Sequence, residues 1–495
     1  MKKIAAFVCL AILAPAVFAQ TNTPAGRPMS LQDCFAAALK NNYDVRIERY
    51  NPAISQFNLS AAYGGYDPTF SFDGTHSYND QGGSFNNGVV SLPTITSRNS
   101  FTPDLSGGTP WGMTYDFSGN INQQHNTVSN SFDNSSGSVG VKLTQPLLKN
   151  FWIDNTRLQI LVAKTQLKIS EQGLRNQIIT IVTAVENAYY ELIYARENVQ
   201  VQEQALALSQ QLLADDKSRV AIGTVASADG TLQQDEAQVA QSRANLIAAQ
   251  NTLSTDENTL KNLLTDNYSQ WHTLPIVPTE TLEATRQFLD VQDSWSKGME
   301  LRPDLQQAKL NLEQQGIQLK YDRNQLFPEV DLIGSYGFNG EGSEYNDTFQ
   351  QINQGNRPFY SYGGQITIPL SNAKARNQLK AGKATEKQLL LKLKQLEQNV
   401  MVQIDNAVKA AQSAWESVDA TKQARIYAEA ALEAEQKKYA VGKSTTFTVL
   451  QLQNNLTTAR SQEIRALANY NQALANLAAA EGSSLKRDNL AIEAK

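Results

Sequence analysis

After Pro68 the chain alternates strictly: Phe70, Phe72, Gly74, His76 and Tyr78 fall on one side, Ser71, Asp73, Thr75 and Ser77 on the other. After Pro328 it does so again, with Val330, Leu332, Gly334, Tyr336 and Phe338 set against Asp331, Ile333, Ser335, Gly337 and Asn339. Val139, Val141 and Leu143 share the period, as do Tyr360, Tyr362, Gly364, Ile366 and Ile368. Successive side chains of a strand point to opposite faces, so a period of two predicts strands, here over about 69–79, 137–146, 329–339 and 359–369. About ten residues with one apolar face, one small or polar face and aromatics toward the ends describe a barrel strand with lipid outside and water inside. That pattern puts Phe70, Phe72, Val330, Leu332, Tyr360 and Tyr362 toward lipid, and Ser71, Thr75, Ser335 and Thr367 toward water. A soluble sandwich also alternates, so the weight rests on four such strands at matched places. Between the first two, residues 80–136 are rich in Gly, Ser and Asn, yet Met113, Tyr115, Phe117, Gly119 and Ile121 alternate with Thr114, Asp116, Ser118, Asn120 and Asn122. This segment predicts either an additional hairpin or a strand extending beyond the membrane.

Elsewhere the period changes. Ile178, Ile181, Val182, Val185, Ala188, Tyr189, Leu192 and Ile193 recur at three- and four-residue spacings and make one helical stripe, with Gln177, Glu186, Asn187, Glu191, Arg196 and Glu197 on a solvated face. No Pro lies between Pro146 and Pro275, and none follows Pro369. Pro costs about 3 kcal/mol inside a helix, so two long Pro-free tracts rich in Ala, Leu, Gln, Glu and Lys are helical. Each has one internal break, at Ile222-Gly223-Thr224-Val225 and at Val441-Gly442-Lys443-Ser444, where Gly permits a stop or tight reversal. The tracts therefore read as hairpins, 155–221 returning as 226–265 and 373–440 returning as 445–481. An outgoing arm of roughly 67 residues rises on the order of 100 Å, too long for the core helix of a globule.

The two halves follow one order: helix, Pro-started strand, polar loop, second strand ending in Pro-Leu, long hairpin. Asp44 and Asp304 are separated by 260 positions, as are Pro68 and Pro328. Thr144-Gln145-Pro146-Leu147 is echoed by Thr367-Ile368-Pro369-Leu370. A repeat this long is a duplicated half-protein, since solenoid periods run to about 50 residues. The expected organisation is a first repeat over 29–266, a linker over 267–293, a second repeat over 294–482 and a tail over 483–495.

Composition narrows the class. Met1-Lys2-Lys3, the apolar run Ile4 to Ala14 and Val17-Phe18-Ala19 have the zones of a signal peptide over 1–19. The expected mature chain is exported and carries no lipid anchor, and Cys34 is its only thiol, a small buried residue with no disulfide partner. Mean hydropathy is -0.40, and no later segment reaches transmembrane-helix length, so a spanning region must be built from strands. The formal charge of -5, two units lower without Lys2 and Lys3, has both signs interspersed and argues against nucleic acid. His76, His125 and His272 have no helical pairing for a metal, and neither a phosphate loop nor a dinucleotide fingerprint nor a nucleophile elbow occurs. These features point away from an enzyme and from any cofactor.

The signal peptide, the two helix–strand–strand–hairpin copies, Tyr66-Asp67-Pro68 and Leu326-Phe327-Pro328 leading into strands, Gln145-Pro146-Leu147 closing one, and the Val441-Gly442 reversal resemble the TolC-like outer-membrane efflux proteins of Gram-negative bacteria. The resemblance covers the chain from about Met29 to Gly482. It implies an α+β membrane protein in which a homotrimer forms one transmembrane β-barrel, four strands per protomer and twelve in all, continued by a long periplasmic α-helical tunnel. It also implies partners: a periplasmic adaptor protein, an inner-membrane transporter and outer-membrane lipid. The adaptor-contacting reversals carry over to Lys217–Val225 and Lys437–Thr446, with Arg219, Ile222, Gly223, Thr224, Val441, Gly442, Lys443 and Ser444 at their centres; plain helix turns are the competing reading.

Carboxylates that line the entrance in several relatives correspond here to Thr448 and Gln451, so that half lacks an acidic ring. Asp229, as far past Gly223 as Thr448 is past Gly442, either supplies a smaller ring from three copies or merely complements a helix start. Asp235, six residues further on, serves as the indifferent comparison. Four strands cannot close a barrel alone, since single-chain barrels begin at eight, which independently calls for an oligomer. The expected function is the outer-membrane exit duct of a tripartite efflux or type I secretion system. An exported fibrous scaffold or adhesin and a periplasmic adaptor are the alternatives.

Overall fold

A computed structural model describes residues 26–126, 132–221 and 231–490. Its elements, in chain order, are β1 (Arg27–Met29), α1 (Leu31–Asn41), α2 (Tyr43–Glu48), α3 (Tyr50–Tyr63), β2 (Thr69–Gln81), β3 (Ser84–Asn86), β4 (Val89–Ser91), β5 (Thr94–Gly108), β6 (Thr114–Asn126) and β7 (Phe132–Pro146). They continue with α4 (Asn155–Ala221), α5 (Thr231–Leu264), α6 (Tyr268–Trp271), β8 (Ile276–Pro278), α7 (Val291–Leu301), α8 (Pro303–Asn324), β9 (Glu329–Gly342), α9 (Tyr345–Gln354) and β10 (Pro358–Thr367). Last come α10 (Ala373–Ala440), α11 (Thr446–Glu481) and α12 (Ser484–Arg487). The Pro-free tracts are thus the long helices. The proposed signal segment lies outside the described residues. Among those residues no helix is long and apolar enough to cross a membrane.

The chain divides into two compact units. One comprises Tyr43–Ile181, Gln287–Gln412 and the chain from Asn476 onward. Its sheet has the order β10-β9-β7-β6-β5-β2, every neighbouring pair antiparallel. The resemblance implies four strands here; the sheet has six, because 80–136 contributes β5 and β6 between β2 and β7. Their register runs from Thr69↔Ser106 to Gln81↔Thr94 against β2 and from Thr114↔Thr144 to Asn126↔Phe132 against β7, so the hairpin lies beside its neighbours rather than extending beyond them. The helical part has its core at Leu305 of α8, Leu393, Val400, Ile404 and Val408 of α10, and Leu477 of α11. Gly298 of α7 lies directly against Ile404, where any larger side chain collides with the isoleucine tip. Arg302 grips Asp304 through two bonds of 2.7 and 3.0 Å and donates to the Ala480 carbonyl at 3.1 Å, joining the start of α8 to the end of α11.

The other unit comprises the chain up to Asn42, Val182–Arg286 and Ser413–Ala475. Here β1 pairs in parallel with β8, and α1 begins with a reciprocal capping box between Ser30 and Asp33. Cys34 is fully buried and unpaired, and burial pushes its thiol up to about 12, which keeps it inert. The stripe of α4 predicted from its spacing is buried at Val182, Val185, Tyr189, Leu192 and Ile193. The Tyr189 hydroxyl meets the Met29 carbonyl at 3.0 Å and also bonds Glu280, satisfying its one polar atom. Further along, Leu212, Leu432, Val449, Leu450 and Leu456 form one apolar cluster and Val418, Ala466 and Tyr470 another. Arg465 bridges to both oxygens of Glu191 at 2.6 and 2.7 Å.

Candidate functional site

The sheet has two chemically distinct faces. One row crosses all six strands as Phe70, Leu105, Phe117, Val141, Tyr336 and Tyr360, each registered against the next. The adjacent row on the opposite face is Ser71, Asp104, Ser118, Gly140, Gly337 and Phe359. Phe70, Phe72, Val330, Leu332, Tyr360 and Tyr362 share the apolar face, and Ser71, Thr75, Ser335 and Thr367 share the other, since period and register fix both sets. Phe359 is the aromatic exception on the polar face. It lies over Gly140 and Gly337, where its ring occupies the space of the missing side chains.

The sheet's ends also differ. Segments leading to α3, α4, α8 and α10 all leave from the end that holds Thr69, Pro146, Glu329 and Thr367, and among the described residues the only strand-to-strand connection there is the short turn 109–113. Longer connections, 82–93 with the β3–β4 hairpin and 343–357 with α9, lie at the far end. There Tyr345, Phe349 and Ile352 of α9 close an apolar pocket against Phe101, Ile121 and Val139, and Thr348 bonds Ser135 at 2.8 Å.

At the second helix reversal α10 ends in a paired-bond stop. The Lys443 amide donates to the Lys438 carbonyl at 2.9 Å and the Gly442 amide to the Tyr439 carbonyl at 3.1 Å, with Gly442 at φ +75°. Ser444 donates to Glu435 at 2.5 Å, and the Lys438 ammonium and this hydroxyl together hold the Glu435 carboxyl below its ordinary range. Val441 and Lys443 are exposed, Thr448 is half-buried and Gln451 exposed. Ile222, Gly223, Thr224 and Asp229 of the first reversal lie outside the described residues. Arg219, just before it, is half-buried, its guanidinium 4.2 Å above the Tyr439 ring.

Near the α10–α11 reversal the ends of α4 and α10 and the starts of α5 and α11 converge on a buried acidic pair that sequence reasoning missed. Asp216 of α4 accepts from the Tyr439 hydroxyl and, at 2.8 Å, from Thr446 of α11. Asp235 of α5, expected to be a solvated comparison position, is instead 1% exposed. Burial first, and the neighbouring Asp216 carboxylate second, push its carboxyl up to about 7. Burial and the same Asp216 contact push Tyr439 up to about 12, keeping its hydroxyl a donor. No spacing distinguishes Asp216 or Asp235 from carboxylates on a wet face; only their neighbours do.

A sheet apolar on one face and polar on the other, joined at one end to long helical hairpins, defines the class of membrane-spanning channel proteins that continue as helices. The chain belongs to the outer membrane efflux protein family, whose model matches residues 113–265 and 296–483. It is 23% identical over 328 residues, covering 65% of this chain and 67% of the relative, to the outer membrane efflux protein BepC of Brucella suis. Its fold is that of the CmeC outer membrane channel of Campylobacter jejuni (TM-score 0.66, 15% identity, 92% of this chain and 86% of that one). It is equally that of the outer membrane protein VceC of Vibrio cholerae (TM-score 0.65, 17% identity, 91% and 96%). The protein is an outer membrane efflux protein, folded like the solved outer membrane channels.

Proposed function

We propose that three copies of this chain form the outer-membrane exit duct of a tripartite efflux or type I secretion system. The carrying observation is the single apolar face shared by all the strands of the sheet, with the segments to α3, α4, α8 and α10 all leaving from one end. A sheet with free edges is intolerable in lipid, so an oligomer must close it, and the family's trimeric channels supply the number. Substrate enters from a periplasmic adaptor and an inner-membrane transporter, which provides the energy this chain has no means to capture. The adaptor docks on the two reversals, around Arg219, Gly223, Gly442, Lys443 and Ser444. Asp229 from three copies lines the entrance, with Thr448 and Gln451 as its uncharged counterparts.

Single-cysteine labelling in a Cys34→Ser background tests the duct. In proteoliposomes, cysteines at Phe70, Phe72, Leu332 and Tyr362 should react with a lipid-soluble maleimide, and those at Ser71, Thr75, Ser335 and Thr367 with a water-soluble one. Equal labelling of both sets would refute the membrane assignment. Gly442→Pro should leave trimers intact while abolishing cross-linking to the adaptor and export; full export by that variant would place docking elsewhere.

A further inference from the structure

We propose that the barrel formed by this chain has eighteen strands, six from each of three copies, closed by pairing the free edge of β2 with the free edge of β10 of the next copy. The inference rests on the trimeric duct reading and departs from the twelve strands that four per protomer give. Its first support is register. β5 pairs with β2 along the whole length of β2, and β6 pairs with β7 from Thr114↔Thr144 to Asn126↔Phe132, so the hairpin occupies the same height as the strands around it. Its second is chemistry. Leu105 and Phe117, outside the cover of α9, continue the apolar row of Phe70, Val141 and Tyr336, while Thr102, Asp104, Ser118 and Asn122 continue the polar face. A hairpin standing in water outside the membrane has no reason to keep one face greasy in phase with its neighbours.

The edges complete the argument. β2 runs away from the helical end and β10 runs back toward it, so β10 of one copy meets β2 of the next in antiparallel sense, as at every other seam. An even number of strands per copy preserves that alternation around the ring. Apolar side chains at the edges are also the most open: Tyr360 and Tyr362 are 73% and 86% exposed, against 51% for Phe117 and 50% for Tyr336 in the interior of the sheet. A second copy of this chain is the occupant that covers both edges at once.

Strands about 4.8 Å apart and tilted by about 40° give a backbone diameter of about 36 Å for eighteen strands and about 24 Å for twelve. The barrel's cross-section is then roughly doubled, in the range where porin-type barrels hold an open aqueous channel. Selection of cargo by size therefore falls to the periplasmic mouth rather than to the barrel.

Electron cryomicroscopy of full-length trimers in lipid nanodiscs should show eighteen strands in the barrel cross-section. In the Cys34→Ser background, single cysteines at Leu105 and Phe117 should take only the lipid-soluble maleimide, and those at Thr102, Asp104 and Ser118 only the water-soluble one. A twelve-strand barrel, or water-soluble labelling of both sets, overturns the inference while leaving the duct in place. Particles whose mass is not that of three chains overturn the underlying trimer as well.

Discussion

Asp235 illustrates how a single carboxyl changes meaning with its surroundings. In the unfolded chain it titrates near 4, whereas beside Asp216 it titrates at about 7. The folded state therefore holds the extra proton between those two values, and stability declines as pH rises through that window, reaching its floor above about 7. Hydrogen-exchange protection factors at the start of α5 and the end of α10 should fall between about pH 4 and 7. Asp235→Asn, which keeps a neutral group that can donate to Asp216, should flatten that dependence; an unchanged profile would show that Asp235 does not titrate in that window. Gly442 carries a different burden. Its φ of +75° lies where other residues are strained, so Gly442→Ala should destabilise the α10–α11 reversal by about 1 kcal/mol, and Gly442→Asn by less. Urea-dependent exchange at the α10–α11 reversal reads that difference.

Among the elements, legibility followed regularity. β2, β9 and β10 alternate without interruption, and the long helices announce themselves by lacking Pro, because one Pro would cost more than a whole turn returns. β5 was illegible for a physical reason. Pro103 sits in its interior and breaks the ladder toward β6, which is registered at Phe101↔Ile121 and again at Asp104↔Ser118 but not between, while the pairing Phe72↔Pro103 survives on the other side. Its polar run Ser97-Arg98-Asn99-Ser100 further hides the alternation. Packing between helices was equally silent in the sequence. Gly298 looks like a helix weakness until Ile404 is seen pressed against it. Gly298→Val should cost about 1–3 kcal/mol in thermal unfolding through overpacking, and adding Ile404→Ala should recover much of that loss. Additive rather than compensating effects would show that the two positions do not touch.

For the molecule as a whole, the expected assembly makes one charge test worth doing. If Asp229 from three copies converges at the entrance, Asp229→Asn should lower cation selectivity and weaken block by multivalent cations in planar-bilayer recordings. A carboxylate that only complements a helix start would leave conductance alone and change stability by about 0.3–1 kcal/mol. Asp235→Asn is no longer an indifferent comparison, because that residue is buried beside Asp216; Asp215, exposed on α4, serves better.

The sequence by itself determined the class of this protein: two-residue periods made strands with one lipid-compatible face, Pro-free tracts made long helices, and their repetition in order pointed to an outer-membrane efflux channel. These are properties of local backbone geometry and of solvent preference, which each residue carries wherever it goes. Only the tertiary structure decided that 80–136 adds two strands to the same sheet, that Asp216 and Asp235 meet beside Tyr439 and Thr446, and that Gly298 makes room for Ile404. Each of those depends on which distant residues become neighbours, and neither periodicity nor composition records that.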